Sequence, residues 1–85
     1  MNSNAVEFSL PGRGAHLVEL MGDFTDWKPV PLEYASSGWW RIVLPVSDGV
    51  HQVDVRFDEG PWEAPPGVTA VADEFGGVSG RIVVQ

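Results

Sequence analysis

The residues from Trp39 to Phe57 constrain this chain to a β fold. Apolar and polar side chains alternate there with a period of two. Trp40, Ile42, Leu44 and Val46 fall on one face of the first run, with Trp39, Arg41 and Val43 on the other. Ser47-Asp48-Gly49 has the composition of a hairpin turn. Beyond it, His51, Val53, Val55 and Phe57 share a face opposite Gln52, Asp54 and Arg56. Successive strand side chains point to opposite sides, so each run offers one face to a core. No stretch shows a helical period of useful length.

The alternation continues towards both ends. Val6, Phe8 and Leu10 predict a first strand, closed by the turn Pro11-Gly12-Arg13-Gly14. His16 to Met21 predicts a second, with Val18 and Leu20 on one face and Leu17, Glu19 and Met21 on the other. Lys28 to Tyr34 holds Pro29 and Pro31 and fits at best a short edge strand, because proline has no N–H to donate. Ser36-Ser37-Gly38 turns the chain. Ala64 to Gly67 and Asp73-Glu74-Phe75-Gly76-Gly77 read as connections, and Val78 to Gln85 as the last strand. Six or seven short strands at this spacing describe a small antiparallel β-sandwich. Residues 1–85 make one domain, with Met1-Asn2-Ser3-Asn4 as a disordered polar lead-in. The abrupt end on a strand at Gln85 suits a piece of a longer protein. With no cysteine, packing alone must hold the fold, and four Trp, four Phe and one Tyr serve that end.

The formal net charge of −7 argues against nucleic acid and anionic membranes, since phosphate binding needs clustered Lys and Arg. No apolar run reaches signal-peptide or transmembrane length, so the chain reads as soluble and cytoplasmic. His16 and His51 lie far apart without metal-ligand spacing, and no cofactor is implied. Asp23, Asp26, Asp58, Glu59, Glu63, Asp73 and Glu74 gather in three loops. Turns attract Asp for backbone reasons, and so small a sandwich rarely forms the cleft a glycosidase needs. Enzymatic activity is not expected. Asp23 and Asp26 are expected to organise their own loop through local backbone N–H groups, with loop-bound calcium as an alternative that lacks EF-hand spacing.

Two tryptophans stand in turns rather than in apolar runs. Trp27 closes Gly22-Asp23-Phe24-Thr25-Asp26-Trp27, and Trp62 follows Gly60-Pro61. A tryptophan on a loop tip is a flat, rigid surface, and a pair of them suits pyranose rings, whose C–H groups pack on indole faces. Trp27 is otherwise a lid over one end of the sandwich. Trp40 belongs to the core, while Trp39 either meets a partner protein or packs under a loop. His51, on an apolar strand face, fits a satisfied structural histidine.

The order G-D-F-x-D-W, G-x-W, D-G-x-H-Q, G-x-W and D-E-F-G-G before a closing strand resembles carbohydrate-binding module family 48. That group includes the glycogen-binding domain of the AMP-activated protein kinase beta subunit and the early-set domains of branching and debranching enzymes. The likeness runs from Val6 to Val84. It implies an all-β, immunoglobulin-like early-set sandwich and a non-catalytic module for α-glucan, whether glycogen, a starch-like polymer or a maltooligosaccharide. By that resemblance Trp27 and Trp62 stack on glucose, and Phe75 caps the site. A sugar-binding lysine of the family falls on Asp54 and an asparagine on Ser79. Arg56, two residues on with the same facing as Asp54, is a candidate to supply the missing cation. Glu59 makes the turn before Trp62 one residue longer than in the kinase subunit. The alternative is a structural or protein-interaction module that kept the fold and lost the sugar. It would use the Trp39, Arg41, Val43 face against a glycogen-metabolism enzyme or another domain of a longer parent chain.

Overall fold

A computed structural model of the chain describes residues 3–72 and 77–85. The strands are β1 (Ser3–Pro11), β2 (Val18–Gly22), β3 (Val30–Pro31), β4 (Glu33–Ser36), β5 (Trp39–Ser47), β6 (Gly49–Phe57), β7 (Thr69–Ala72) and β8 (Val78–Val84). A 3-10 turn at Asp23–Thr25 follows β2. They form a three-stranded sheet, β1-β5-β4, and a five-stranded sheet, β3-β2-β6-β8-β7. Every pairing is antiparallel, and the chain is an all-β, immunoglobulin-like sandwich. Among the described residues no helix is long and apolar enough to cross a membrane.

The inward faces follow from the period-two pattern. Val18, Leu20, Val53 and Val55 are fully buried and join Leu10 and Leu32 in one apolar cluster. Trp40, Ile42 and Leu44 of β5 pack against it from the opposite sheet. Leu20 and Val55 lie directly opposite each other on β2 and β6. Each such side chain contributes about 1.5–3 kcal/mol by leaving water. The edge strand β3 is two residues long, consistent with Pro31 ending the ladder. Leu32 then carries the chain across the core, its N–H bonded to the carbonyl of Val18, and β4 begins in the other sheet.

Three expectations need correction. β5 and β6 are not a hairpin: β5 pairs with β1 and β4, β6 with β2 and β8. Both edges of each strand are thus taken, and Asp48-Gly49 forms an arch between sheets. Gly49 adopts φ 126°, a conformation side-chain-bearing residues avoid. The arch is held from β1, where the Asn4 amide donates to Val46 O and to Asp48 Oδ1 at 3.2 and 2.7 Å. Ser3 and Asn4 therefore belong to β1 rather than to a disordered lead-in. β7 also occupies part of the segment expected to connect Gly67 to the last strand.

Candidate functional site

The outward face of the five-stranded sheet collects most of the polar residues singled out by the sequence. On β2 and β6, Glu19 sits directly opposite Arg56, and Arg56 Nε donates to Glu19 Oε1 at 2.7 Å. Both side chains are largely shielded, at 24% exposed for Arg56 and 15% for Glu19. The guanidinium carbon lies 4.6 Å from the centroid of the Trp62 ring, a cation–π contact. Trp62 itself is half-buried. Arg56 is thus fixed on two sides, by a carboxylate at its Nε and an indole at its plane.

The turn that delivers Trp62 is tied down at both ends. Asp58 and Glu59 take left-handed φ values of 52° and 60°. Such values are uncommon for residues other than glycine and persist where neighbours hold them. Here the Asp58 carboxylate accepts from the N–H groups of His16 and Leu17 at 2.7 and 3.0 Å, and the Asp58 N–H donates to Leu17 O. On the far side, Val55 and Glu63 exchange two backbone hydrogen bonds of 2.8 Å. Glu63 also accepts from Arg13 Nη1, and Arg13 lies over the Phe57 ring at 4.5 Å. Glu59 lies inside this closed turn.

Trp27 is rooted on the same sheet. Its backbone N–H donates to the carbonyl of Gly22, the last residue of β2, and the residue is 42% exposed. Gly22 lies opposite Val53 on one side of β6, and Glu63 opposite Val55 on the other. Two strand spacings and a two-residue offset put the roots of the two tryptophan loops about 12 Å apart. Gly22 cannot be larger. A Cβ there would meet Gln52 O at 2.5 Å and the Phe24 ring at 2.6 Å.

The loop between Gly22 and Trp27 is anchored both locally and over long range. The hydroxyl of Thr25 both accepts from Gly22 N–H and donates to Gly22 O, each at 3.0 Å. Asp23, however, reaches β6: its carboxylate contacts His51 Nδ1 at 2.8 Å and accepts from Gln52 N–H at 3.2 Å. The other imidazole nitrogen, Nε2, lies 2.8 Å from Ser47 O. Hydrogen bonding to Asp23, then to Ser47, raises the His51 pKa from its ordinary value, with burial opposing. His51 is satisfied at both nitrogens, as a structural histidine should be.

Asp54 and Ser79 come together on β6 and β8. Both are buried, and Ser79 Oγ donates to Asp54 Oδ2 at 3.3 Å. The two side chains thus bond to each other across neighbouring strands. Phe75 lies outside the described residues. Sequence reasoning did not single out Glu19 or the Asp23–His51 contact. Glu19 was signalled only by its outward facing, which it shares with Arg56.

No family model matches the chain, and no curated protein matches it.

Proposed function

We propose that the domain is a non-catalytic α-glucan-binding module, with Trp62 and Trp27 as its stacking faces. The observation that carries this is the backing of Trp62 by Arg56, itself held by Glu19. A guanidinium against one face of an indole braces the ring and leaves its other face for a ligand. A ring positioned in advance loses less entropy when a sugar docks. Arg56 also presents its remaining N–H donors beside the indole, where hydroxyls of a stacked pyranose would lie. Trp27, on a loop rooted about 12 Å away across β6, offers a second face to the same chain. Arg56 is the cationic donor beside the indole. An open surface of this kind binds weakly per site, at about micromolar to millimolar Kd. A branched polymer raises the apparent strength by multivalency.

A titration with maltoheptaose or β-cyclodextrin, followed by tryptophan fluorescence, tests this. A saturable change that disappears in Trp27→Ala and in Trp62→Ala is expected. No change up to about ten millimolar, with the domain folded, would overturn the proposal.

A second reading is favoured by the other sheet. Trp39 and Val43 are 46% and 48% exposed on the outward face of β5. Exposed large apolar groups on one strand suit a protein partner. Loss of partner capture on Trp39→Ala, in a domain that ignores glucan, would favour this reading.

A further inference from the structure

The loop carrying Trp27 is held in a conformation it would not adopt unaided. Asp26 and Trp27 are consecutive left-handed residues, each at φ 57°. Each such residue costs about 1–2 kcal/mol relative to the right-handed region. Besides its local bonds to Gly22, two long-range anchors hold the loop. One is apolar: Phe24 stacks on Phe8 with centroids 5.4 Å apart and meets His51 edge-on at 5.8 Å. The other is the Asp23 carboxylate, bound to the His51 ring and to the Gln52 N–H. Asp23 begins the 3-10 turn, and its own carbonyl accepts from Asp26 N–H at 3.4 Å. A displacement of Asp23 is therefore passed to the two strained residues after it.

The His51 ring stands between two acceptors, Asp23 Oδ1 and Ser47 O, both at 2.8 Å. Only the imidazolium carries an N–H at both ring positions. A neutral ring donates to one acceptor and turns a lone pair towards the other. If it serves Ser47, the lone pair faces a carboxylate. If it serves Asp23, the charge attraction is gone and the Ser47 carbonyl loses its donor. Each element packed on His51 contributes something other than a competing charge. The cross-strand neighbour on β8 is Ile82, and Phe24 supplies a ring edge. Asp48, on the arch, engages the amide of Asn4. Among the described residues, Asp23 is the charged group that acts on this histidine.

We infer that His51 and Asp23 form a proton-operated latch that sets the position of Trp27. Protonated, the ring ties the loop to β6 and to the end of β5. Deprotonated, it weakens its hold on Asp23, which keeps the Gln52 N–H, and Asp26 and Trp27 relax while Phe24, the Thr25 hydroxyl and the Trp27 backbone N–H keep the loop attached. The latch contributes fully below the ordinary histidine value of about 6.5, where folded and unfolded chains are both protonated. Its contribution is lost as pH rises through the raised value of the folded state. In functional terms the inference rests on reading Trp27 as a sugar contact: maltooligosaccharide affinity then falls as pH rises through the neutral range.

Two measurements on the intact chain test it, from about pH 5.5 to about 9. The first follows the His51 ring and the Trp27 indole N–H by NMR without ligand. Both should titrate with one midpoint, and His51→Gln should leave the Trp27 signal flat. His16 remains in that variant as an internal control. The second measures maltoheptaose Kd over the same range. About fivefold weakening at high pH is expected for the wild type, and none for His51→Gln. A Trp27 signal that ignores the His51 titration would overturn the latch. So would a wild-type Kd independent of pH, with the proposed sugar site left standing. Absence of sugar binding at every pH, with Trp27 still following His51, would sink the sugar site and support the latch.

Discussion

Each sheet carries a tryptophan, an arginine and a glutamate on its outward face, and the two sets are built differently. On the three-stranded sheet, Arg41 Nε donates to Glu7 at 3.0 Å, with side chains 44% and 52% exposed. Trp39 stands nearby, itself 46% exposed. On the five-stranded sheet, Arg56 and Glu19 are directly opposite, shielded, and covered by Trp62. Similar residues thus give a solvated ion pair on one side and a braced aromatic on the other. The difference comes from the turn after β6, which returns alongside its own strand through the Val55–Glu63 bridge and lays Trp62 against Arg56. Nothing comparable among the described residues returns over β5. A ligand surface is therefore a property of what is stacked on a strand face as much as of the strand's own side chains.

The largest contrast should appear in ligand affinity. Trp62→Ala is expected to weaken maltoheptaose binding by about thirtyfold or more, whereas Trp39→Ala leaves it unchanged. Equal losses in a calorimetric titration would erase the distinction between the two faces. Stability should differ next. Glu19→Gln removes the charge from a shielded, charge-assisted hydrogen bond and is expected to cost about 1–2 kcal/mol. Glu7→Gln, in an exposed pair, should cost less than about 0.5 kcal/mol. Urea melts of the two variants measure this, and a Glu7 variant as damaged as the Glu19 one would contradict it.

Arg56→Lys separates charge from shape. Lysine keeps the charge but has no planar face for Trp62, so maltoheptaose affinity should fall by about three- to tenfold, with Arg41→Lys neutral. Unchanged affinity in the Arg56 variant would mean that only the charge mattered. The smallest effect concerns salt. Raising NaCl from about 0.1 to about 1 M should remove most of any Arg41–Glu7 contribution and little of the Arg56–Glu19 one. Double-mutant cycles at the two concentrations would show it.

Much of the sandwich was legible in the sequence because burial follows a period of two. Val18 and Leu20 share a strand face by that rule, as do Val53 and Val55, and all four are fully buried. The outward facing of Asp54 and Arg56 follows from the same rule. What alternation does not encode is which strands are neighbours. The Ser47-Asp48-Gly49 turn has hairpin composition, yet the edges it would have joined are filled by β1, β4, β2 and β8. The same blindness hid Glu19 as the partner of Arg56, since that contact exists only once β2 lies beside β6. β7 escaped notice because Thr69–Ala72 is short, follows a proline-rich stretch and bonds to β8 alone. Asp23 was expected to serve its own loop, and its carboxylate instead finds partners 28 and 29 residues away.

The bridge between Val55 and Glu63 gives the Trp62 turn an independence of its own. Two backbone hydrogen bonds close its stem, and the strand beneath is anchored by fully buried Val53 and Val55. Closing a loop one residue longer changes its entropy only slightly. The turn is in this sense a cassette: its length and its aromatic can be exchanged while the stem holds the frame. Variants differing only between Asp58 and Glu63 would share one scaffold and display different faces on it.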